Sequence, residues 1–312
     1  LADDPDDFLR ELQVLASEAG GDPTTATIMV DGFQSPSALP PKISIASIRI
    51  NPDLFSAKYR YPPFFGGVIE ITTKPGVNRF HGGAFFTDSD GIFNATDPFS
   101  VTATPAGRRR YGFELSGPII SKKSGFALAL EKRDINEFNV VNAVTLAANG
   151  DLGPNGNGVP QQQTVSAPQR LWIASARGDW QVTPSNVASL SFSANVNNEG
   201  NQGVGGLTLA NAGYSSLVSE YDLRFHNTQT IGPNILHETH IGYSWRRTEQ
   251  TPLSNTPSVQ VSGYFTGGGA ASQNLNDRER DLEVDEDMTV VREKNTVAFG
   301  ELTPGEPGGE SD

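Results

Sequence analysis

The sequence predicts a mainly β protein: a small α+β unit at the start, followed by long antiparallel strands of a transmembrane-type β-barrel. Three observations carry this. Gly and Pro number 33 and 21 among 312 residues, too many breakers for a helical bundle or a coiled coil. From about residue 80, apolar and polar residues alternate over stretches of about ten residues, longer than the usual ~5–6 of a strand. No run of 18 apolar residues occurs. That excludes a transmembrane helix but not a barrel, whose alternating strands leave no such run.

The opening acids Asp3, Asp4, Asp6 and Asp7 precede Phe8, Leu9, Leu12 and Leu15. That spacing predicts a helix over 8–16, with negative charge where a helix N-terminus favours it, and Gly20-Gly21 ends it. Three short apolar runs follow, Thr25–Val30, Ile43–Ile50 and Gly67–Thr73. Each is bounded by turn chemistry: Asp31-Gly32, Asn51-Pro52 and Lys74-Pro75-Gly76. Residues 1–76 therefore read as one small α+β unit.

The period then becomes two. Ala188, Leu190, Phe192, Ala194 and Val196 share one face, and Ser189, Ser191, Ser193, Asn195 and Asn197 the other. Trp172, Ala174, Ala176, Trp180 and Val182 oppose Ser175, Arg177, Asp179 and Gln181. Ile235, Ile241, Tyr243 and Trp245 oppose Glu238, His240, Ser244 and Arg246. Short turns at 121–124, 183–186 and 232–234 alternate with long polar stretches at 136–169, 198–218 and 251–277. Tight turns on one side and long loops on the other is the pattern of a membrane barrel. In a soluble β-domain, loops above ~12–15 residues are uncommon, though a soluble sandwich or barrel stays open as the alternative.

Charge and composition exclude several functions. Of the net −13, residues 1–22 contribute seven acids and one Arg, and residues 273–312 twelve acids and four bases. The remaining 17 acids and 18 bases leave the middle near neutral, without the basic footprint of a nucleic-acid binder. With no cysteine, disulfides, zinc–thiolate sites and thiol chemistry are excluded.

The candidate sites are each weighed against an ordinary reading. His237-Glu238-Thr239-His240 places its two histidines three apart in a strand, hence on opposite faces, unlike the helical zinc motif with histidines four apart. It reads as ordinary strand. The acidic run Asp277–Asp287 lacks the Gly and the alternation of a calcium loop. It reads as a solvated loop leading into a polar, lumen-facing strand, with weak cation binding the lesser possibility. Arg108-Arg109-Arg110 reads as a strand base or solvated loop rather than an anion site. Gly203-Val204-Gly205-Gly206 has no strand before it and no Lys after it, so it is a loop and not a phosphate cradle. Trp172, Trp180, Tyr243 and Trp245 sit where a membrane-interface girdle would, or in the core of a sandwich. No nucleophile elbow or P-loop occurs, so no catalytic, cofactor-binding or metal-ligating residue is assigned, and ligand-binding residues stay unknown.

Between residues 28 and 82 the sequence becomes recognisable. Ile28-Met29-Val30-Asp31-Gly32-Phe33 is followed by Leu-Pro-Pro-Lys-Ile-Ser-Ile-Ala-Ser-Ile-Arg-Ile-Asn-Pro from Leu39. Phe55-Ser56-Ala57-Lys58-Tyr59 comes next, and then Gly-Gly-Val-Ile-Glu-Ile-Thr-Thr-Lys-Pro-Gly-Val-Asn-Arg-Phe-His-Gly from Gly66. In order and spacing these resemble the plug domain of TonB-dependent outer-membrane receptors. Arg110-Tyr-Gly-Phe-Glu-Leu-Ser-Gly-Pro-Ile119 and Trp180-Gln-Val-Thr-Pro-Ser-Asn186 resemble the early barrel of the Oar-like, carboxypeptidase-regulatory-like subgroup. The resemblance covers roughly 1–300 and is densest over 28–120. It implies the C-terminal part of a plug at 1–79 and the first strands of a barrel, incomplete, over 80–312. It further implies location in a Gram-negative outer membrane, contact with its lipid, energy from the TonB complex, uptake of an unknown extracellular ligand, and no enzymatic activity or cofactor. Such receptors resemble plugged barrels of ~22 strands, against eight or nine recognisable here. No apolar leader, no TonB-contacting box and no closing strand with a terminal aromatic are recognisable, and the tail from Leu302 looks unlike a strand. The chain is therefore expected to be an internal piece of a larger receptor or a broken reading frame. The rival from another class is a secreted or surface β-rich adhesion or glycan-binding protein; a soluble β-hydrolase is remote without a catalytic constellation.

Overall fold

The computed structural model describes residues 12, 14, 17, 27–34, 39–51, 68–76, 78–90, 106–147, 149–152, 156–270, 274–292, 295–304 and 310–311. Among these the protein is built almost entirely of antiparallel β-structure in two main sheets, and no described helix is long and apolar enough to cross a membrane.

The first sheet has four short strands: β1 (Thr27–Val30), β2 (Phe33–Gln34), β3 (Ile45–Asn51) and β4 (Val68–Thr73), in the order β2-β1-β4-β3. β1 runs parallel to β4, while β3 is antiparallel to it. The Asp31-Gly32 turn joins β1 to β2, with Val30 opposite Phe33. Both turn residues have positive φ, 50° and 88°, the geometry that suits a two-residue hairpin and that Asp-Gly supplies. Val30, Ile69 and Ile71 are buried with Leu12, and Ile28, Leu39, Ile45 and Ile50 pack around them. Leu12, Val14 and Ser17 are helical; the rest of the 8–16 helix expected from sequence lies outside the described residues.

The second sheet is a nine-strand meander, β5 (His81–Asp90), β6 (Gly107–Ile120), β7 (Ser124–Thr145), β8 (Val159–Thr183), β9 (Asn186–Gln202), β10 (Tyr214–Ile231), β11 (Ile235–Pro252), β14 (Leu275–Arg292) and β15 (Asn295–Pro304). Every neighbour pair is antiparallel. Tight turns at 121–123, 184–185 and 232–234 close one end, as the sequence predicts. Between β11 and β14 lies a small hairpin, β12 (Val259–Val261) and β13 (Phe265–Gly267). β16 (Glu310–Ser311) pairs with Asp277 and Arg278 of β14. Among the described residues β5 and β15 close the path on neither side.

Three expectations are corrected here. The polar stretches 136–169, 198–218 and 251–277 are not wholly loop: strand takes most of 136–169, about half of 198–218 and, with a small hairpin, part of 251–277. β7 runs to Thr145, β8 begins at Val159 and spans 25 residues, and the remaining connections are 203–213 and 253–274. A membrane strand needs only ~9–11 residues. Beyond that height no lipid imposes a continuous apolar face: Val141, Ala143 and Val165 pack into a small cap among mostly polar neighbours, so the strands read as loop. Second, Asp277–Asp287 lies wholly inside β14. Third, the tail continues strand structure to Pro304, and Glu310 and Ser311 take up β14 backbone beyond the end of β15.

The protruding ends are knit together. Asn142 N–H donates to the Gly206 carbonyl (2.7 Å) and Gly206 N–H to the Val140 carbonyl (2.8 Å). Leu209 N–H donates to Thr266 and Thr266 N–H to Leu207, both at 2.9 Å. Val141, Ala143 and Val204 form a second buried cluster with Val165, Leu209 and Phe265 packed on it. The glycine run 203–206 is thus a folded part of this cap, with Gly203, Gly205 and Gly206 at positive φ.

Candidate functional site at the inner wall

Strand periodicity gives the large sheet two unlike faces. Trp180, Leu190 and Phe192 share the outer one, at 38%, 42% and 40% exposure, with no layer over them among the described residues. In β8, Trp172 and Trp180 are eight residues apart, about 26 Å along the strand at ~3.3 Å per residue, or about 20 Å of height at the ~40° tilt of a membrane barrel, most of its ~25 Å apolar band. At the upper level Trp245 stacks on Tyr221 (5.0 Å between centroids), Tyr221 on Phe192 (6.3 Å), and Lys132 lies 4.9 Å from the Trp172 ring. Tyr243, on the same outer face, is exposed at 43%. The four aromatics singled out in sequence are therefore on the outer surface and not in a sandwich core.

The inner face is polar and carries the first sheet. Asp31 accepts from Thr73 N–H (2.8 Å) and Thr73 Oγ1 (2.6 Å). Arg177 on β8 meets Asp31 at 3.4 Å and donates to Thr73 Oγ1 at 3.2 Å and to Asp179 at 2.9 Å. Asp179 in turn accepts from Gly76 N–H at 2.8 Å. Lys74 pairs with Glu114 of β6 at 2.8 Å. A Cβ on Gly125 would sit 2.8 Å from the Gly76 carbonyl carbon, so two glycines permit this backbone contact. The turns read at Asp31-Gly32 and Lys74-Pro75-Gly76 are the points at which the small sheet is fastened to the wall. Phe33 completes the contact, edge-on to His240 (5.4 Å) and under Arg224 (5.6 Å).

Farther along the inner face, Glu131 is fully buried between Arg110 (2.7 Å) and Arg133 (2.6 Å). Arg108 pairs with Glu137 at 2.5 Å and Arg109 with Asp88 at 3.3 Å. Each Arg of the 108–110 trio is thus in an ion pair. On β14, Asp277, Glu279, Asp281, Glu283, Asp285 and Asp287 recur every second residue on the inner face, set in register against Thr248, Arg246, Ser244, Gly242, His240 and Glu238.

The register of β10 and β11 divides the His237–His240 motif. His237 lies on the outer face and pairs with Glu286 at 2.8 Å, while Glu238 and His240 face inward. His226 of β10 is opposite His240 and stacks on it at 4.1 Å between centroids. The donor atoms of His226, Glu238 and His240 lie within 4.8 Å of one another. Reading His237-Glu238-Thr239-His240 alone missed this cluster. The available signal was hairpin symmetry, since His226 and His240 are both seven residues from Pro233 in the tight turn.

Residues 137–302, more than half of the chain, match the family model described as "Outer membrane beta barrel domain". Among curated proteins no match was found. Among solved structures the chain is similar to the siderophore receptor PirA of Acinetobacter baumannii, at 16% identity and a TM-score of 0.59, over 90% of this chain and 40% of that one. It is similar at the same TM-score to the outer-membrane transporter YddB of Escherichia coli, at 12% identity over 90% and 40%. A variant of the ferric enterobactin receptor PfeA of Pseudomonas aeruginosa gives 14% identity and a TM-score of 0.59 over 90% and 41%. The chain spans about 40% of the length of these receptors, and at such identities the likeness is one of fold. The outward apolar faces, the aromatics carried on them and the matched family agree: the chain belongs to the outer membrane beta barrel domain family and is a protein of the outer membrane.

Proposed function

We propose that the chain is part of a TonB-dependent outer-membrane receptor that takes up an extracellular ligand. Residues 1–79 are the C-terminal part of its plug and 80–312 its first barrel strands. The observation that supports this most is the fastening of the small sheet to the inner wall through Asp31, Thr73, Arg177, Asp179 and Gly76. A sheet held inside a barrel by partly buried polar contacts can be released by a modest pull and re-formed. A hydrophobic seal would not serve that cycle as well, because the polar groups regain water when they part. The siderophore receptors of like fold lend the same reading support. The partners are outer-membrane lipid, the TonB energy-transducing complex and the ligand, and the chain is not an enzyme.

The test uses the absence of native cysteine. Thr73→Cys places a single thiol at the buried fastening point. In outer membranes of energised cells, a water-soluble maleimide should label it faster than in cells lacking TonB or with collapsed proton-motive force. Equal labelling under all three conditions would overturn the receptor reading.

A further inference from the structure

We propose that His226, Glu238 and His240 form a binding site for a divalent transition-metal ion of the zinc type on the inner wall, beside the β1–β2 turn. Two imidazoles and one carboxylate are the three-ligand set of an open zinc site, with the remaining position free for water or another ligand. Three donors on one tetrahedral ion with bonds of about 2.0–2.2 Å lie about 3.3–3.6 Å apart. His226 Nε2 and Glu238 Oε1 are already 3.6 Å apart, and the whole set falls within 4.8 Å. Closing the rest takes rotations of side chains, not movement of strands, because β10 and β11 pair without interruption from Tyr214 to Ile231.

The surroundings suit a cation. Asp285, buried, lies in register with His240, and Asp287 with Glu238. The nearest base on the same face, Arg224, is already paired with Asp222 at 3.3 Å. Thr228 Oγ1, 3.1 Å from His226 Nε2, occupies that nitrogen when no metal does.

The site also lies where the small sheet touches the wall. Phe33 is edge-on to His240, and a Cβ on Gly32 would come 3.2 Å from His240 Cε1. A bound ion would therefore fix the His240 ring against which the β1–β2 turn rests. The proposal stands on this geometry and not on the receptor reading.

The protein, purified from outer membranes in detergent, is titrated with Co2+ as a spectroscopic probe and then with Zn2+ in competition. One saturable equivalent with the intense visible absorption of low-coordinate Co2+, displaced by Zn2+, is expected. His226→Ala and His240→Ala should each weaken binding by more than the ~10–100-fold typical of losing an outer-shell partner. His237→Ala, on the opposite face, should leave it unchanged, and heat-modifiable migration of each variant checks folding. Absence of saturable binding overturns the site. So does binding that survives the folded His226→Ala and His240→Ala variants, or that is lost with His237→Ala. If neither single variant folds, Glu238→Gln decides: unchanged affinity there overturns the site as well.

Discussion

Arg177 reaches from the inner face of β8 to Asp31 and Thr73 of the small sheet, while its Nε holds Asp179, which in turn holds Gly76. Its side chain keeps 20% exposure, so water screens part of the interaction. Arg177→Ala is expected to cost ~1–2 kcal/mol, below the upper range for charge-assisted hydrogen bonds. The loss should appear as a lower urea midpoint for protease protection of residues 27–76, with migration of the barrel unchanged. Arg177→Lys should fall between, since one ammonium cannot reproduce the planar fork. Glu131 presents the opposite case. It is fully buried between two arginines, and Glu131→Ala would remove the carboxylate that both guanidiniums share at a cost of ~3 kcal/mol, the lower end for a broken buried ion pair, read as a shift in the denaturation midpoint. A Glu131→Ala protein as stable as the parent would contradict this. At this scale the sequence was legible only locally. Asp31-Gly32 announces a turn, but nothing near it says that its carboxylate will meet a guanidinium more than a hundred positions away. The same holds for His226, whose partner is defined by the hairpin register rather than by neighbours.

The strands were legible where the membrane imposes one apolar face, and illegible where it does not. Residues 188–197 alternate because Leu190 and Phe192 face outward while Ser189 and Ser191 face inward. β7 and β8 run on past that height, where lipid no longer sets one continuous apolar face, and there strand and loop have similar composition. The acidic run in β14 was misread for a related reason. Its inner-face acids at every second residue are interleaved with Arg278, Arg280 and Glu286 on the outer face, which masks the period of two. A pair of charge insertions tests the assignment of faces. Leu190→Arg should cost ~2–4 kcal/mol in folding into bilayers, as a charge at mid-membrane does. Ser193→Arg, whose register partners are Ser175 and Asp222, should cost less than half of that. Equal costs would mean that the two faces see the same environment.

For the whole molecule, the account rests on a two-faced sheet with lipid outside and a docked sheet inside. The nine-strand path leaves β5 and β15 as edges among the described residues. Lipid cannot satisfy the backbone groups of such an edge, each costing several kcal/mol. The architecture as a class was legible because short turns alternate with long excursions, and because turn chemistry recurs at fixed places. The docking of the small sheet on the wall was not, since it depends on glycine–glycine contact and on ion pairs between distant segments.

The most direct test is a cysteine scan of residues 186–197, one position at a time, in the protein as it sits in the outer membrane, with spin labels read for collision with oxygen and with a water-soluble nickel chelate. The account predicts a period of two: positions 188, 190, 192, 194 and 196 accessible to oxygen dissolved in lipid, and positions 189, 191, 193, 195 and 197 shielded from it. Contradiction would be a stretch in which Leu190 and Phe192 positions are as closed to lipid oxygen as Ser189 and Ser191. That result would place a protein layer over the apolar face, as in a soluble sandwich.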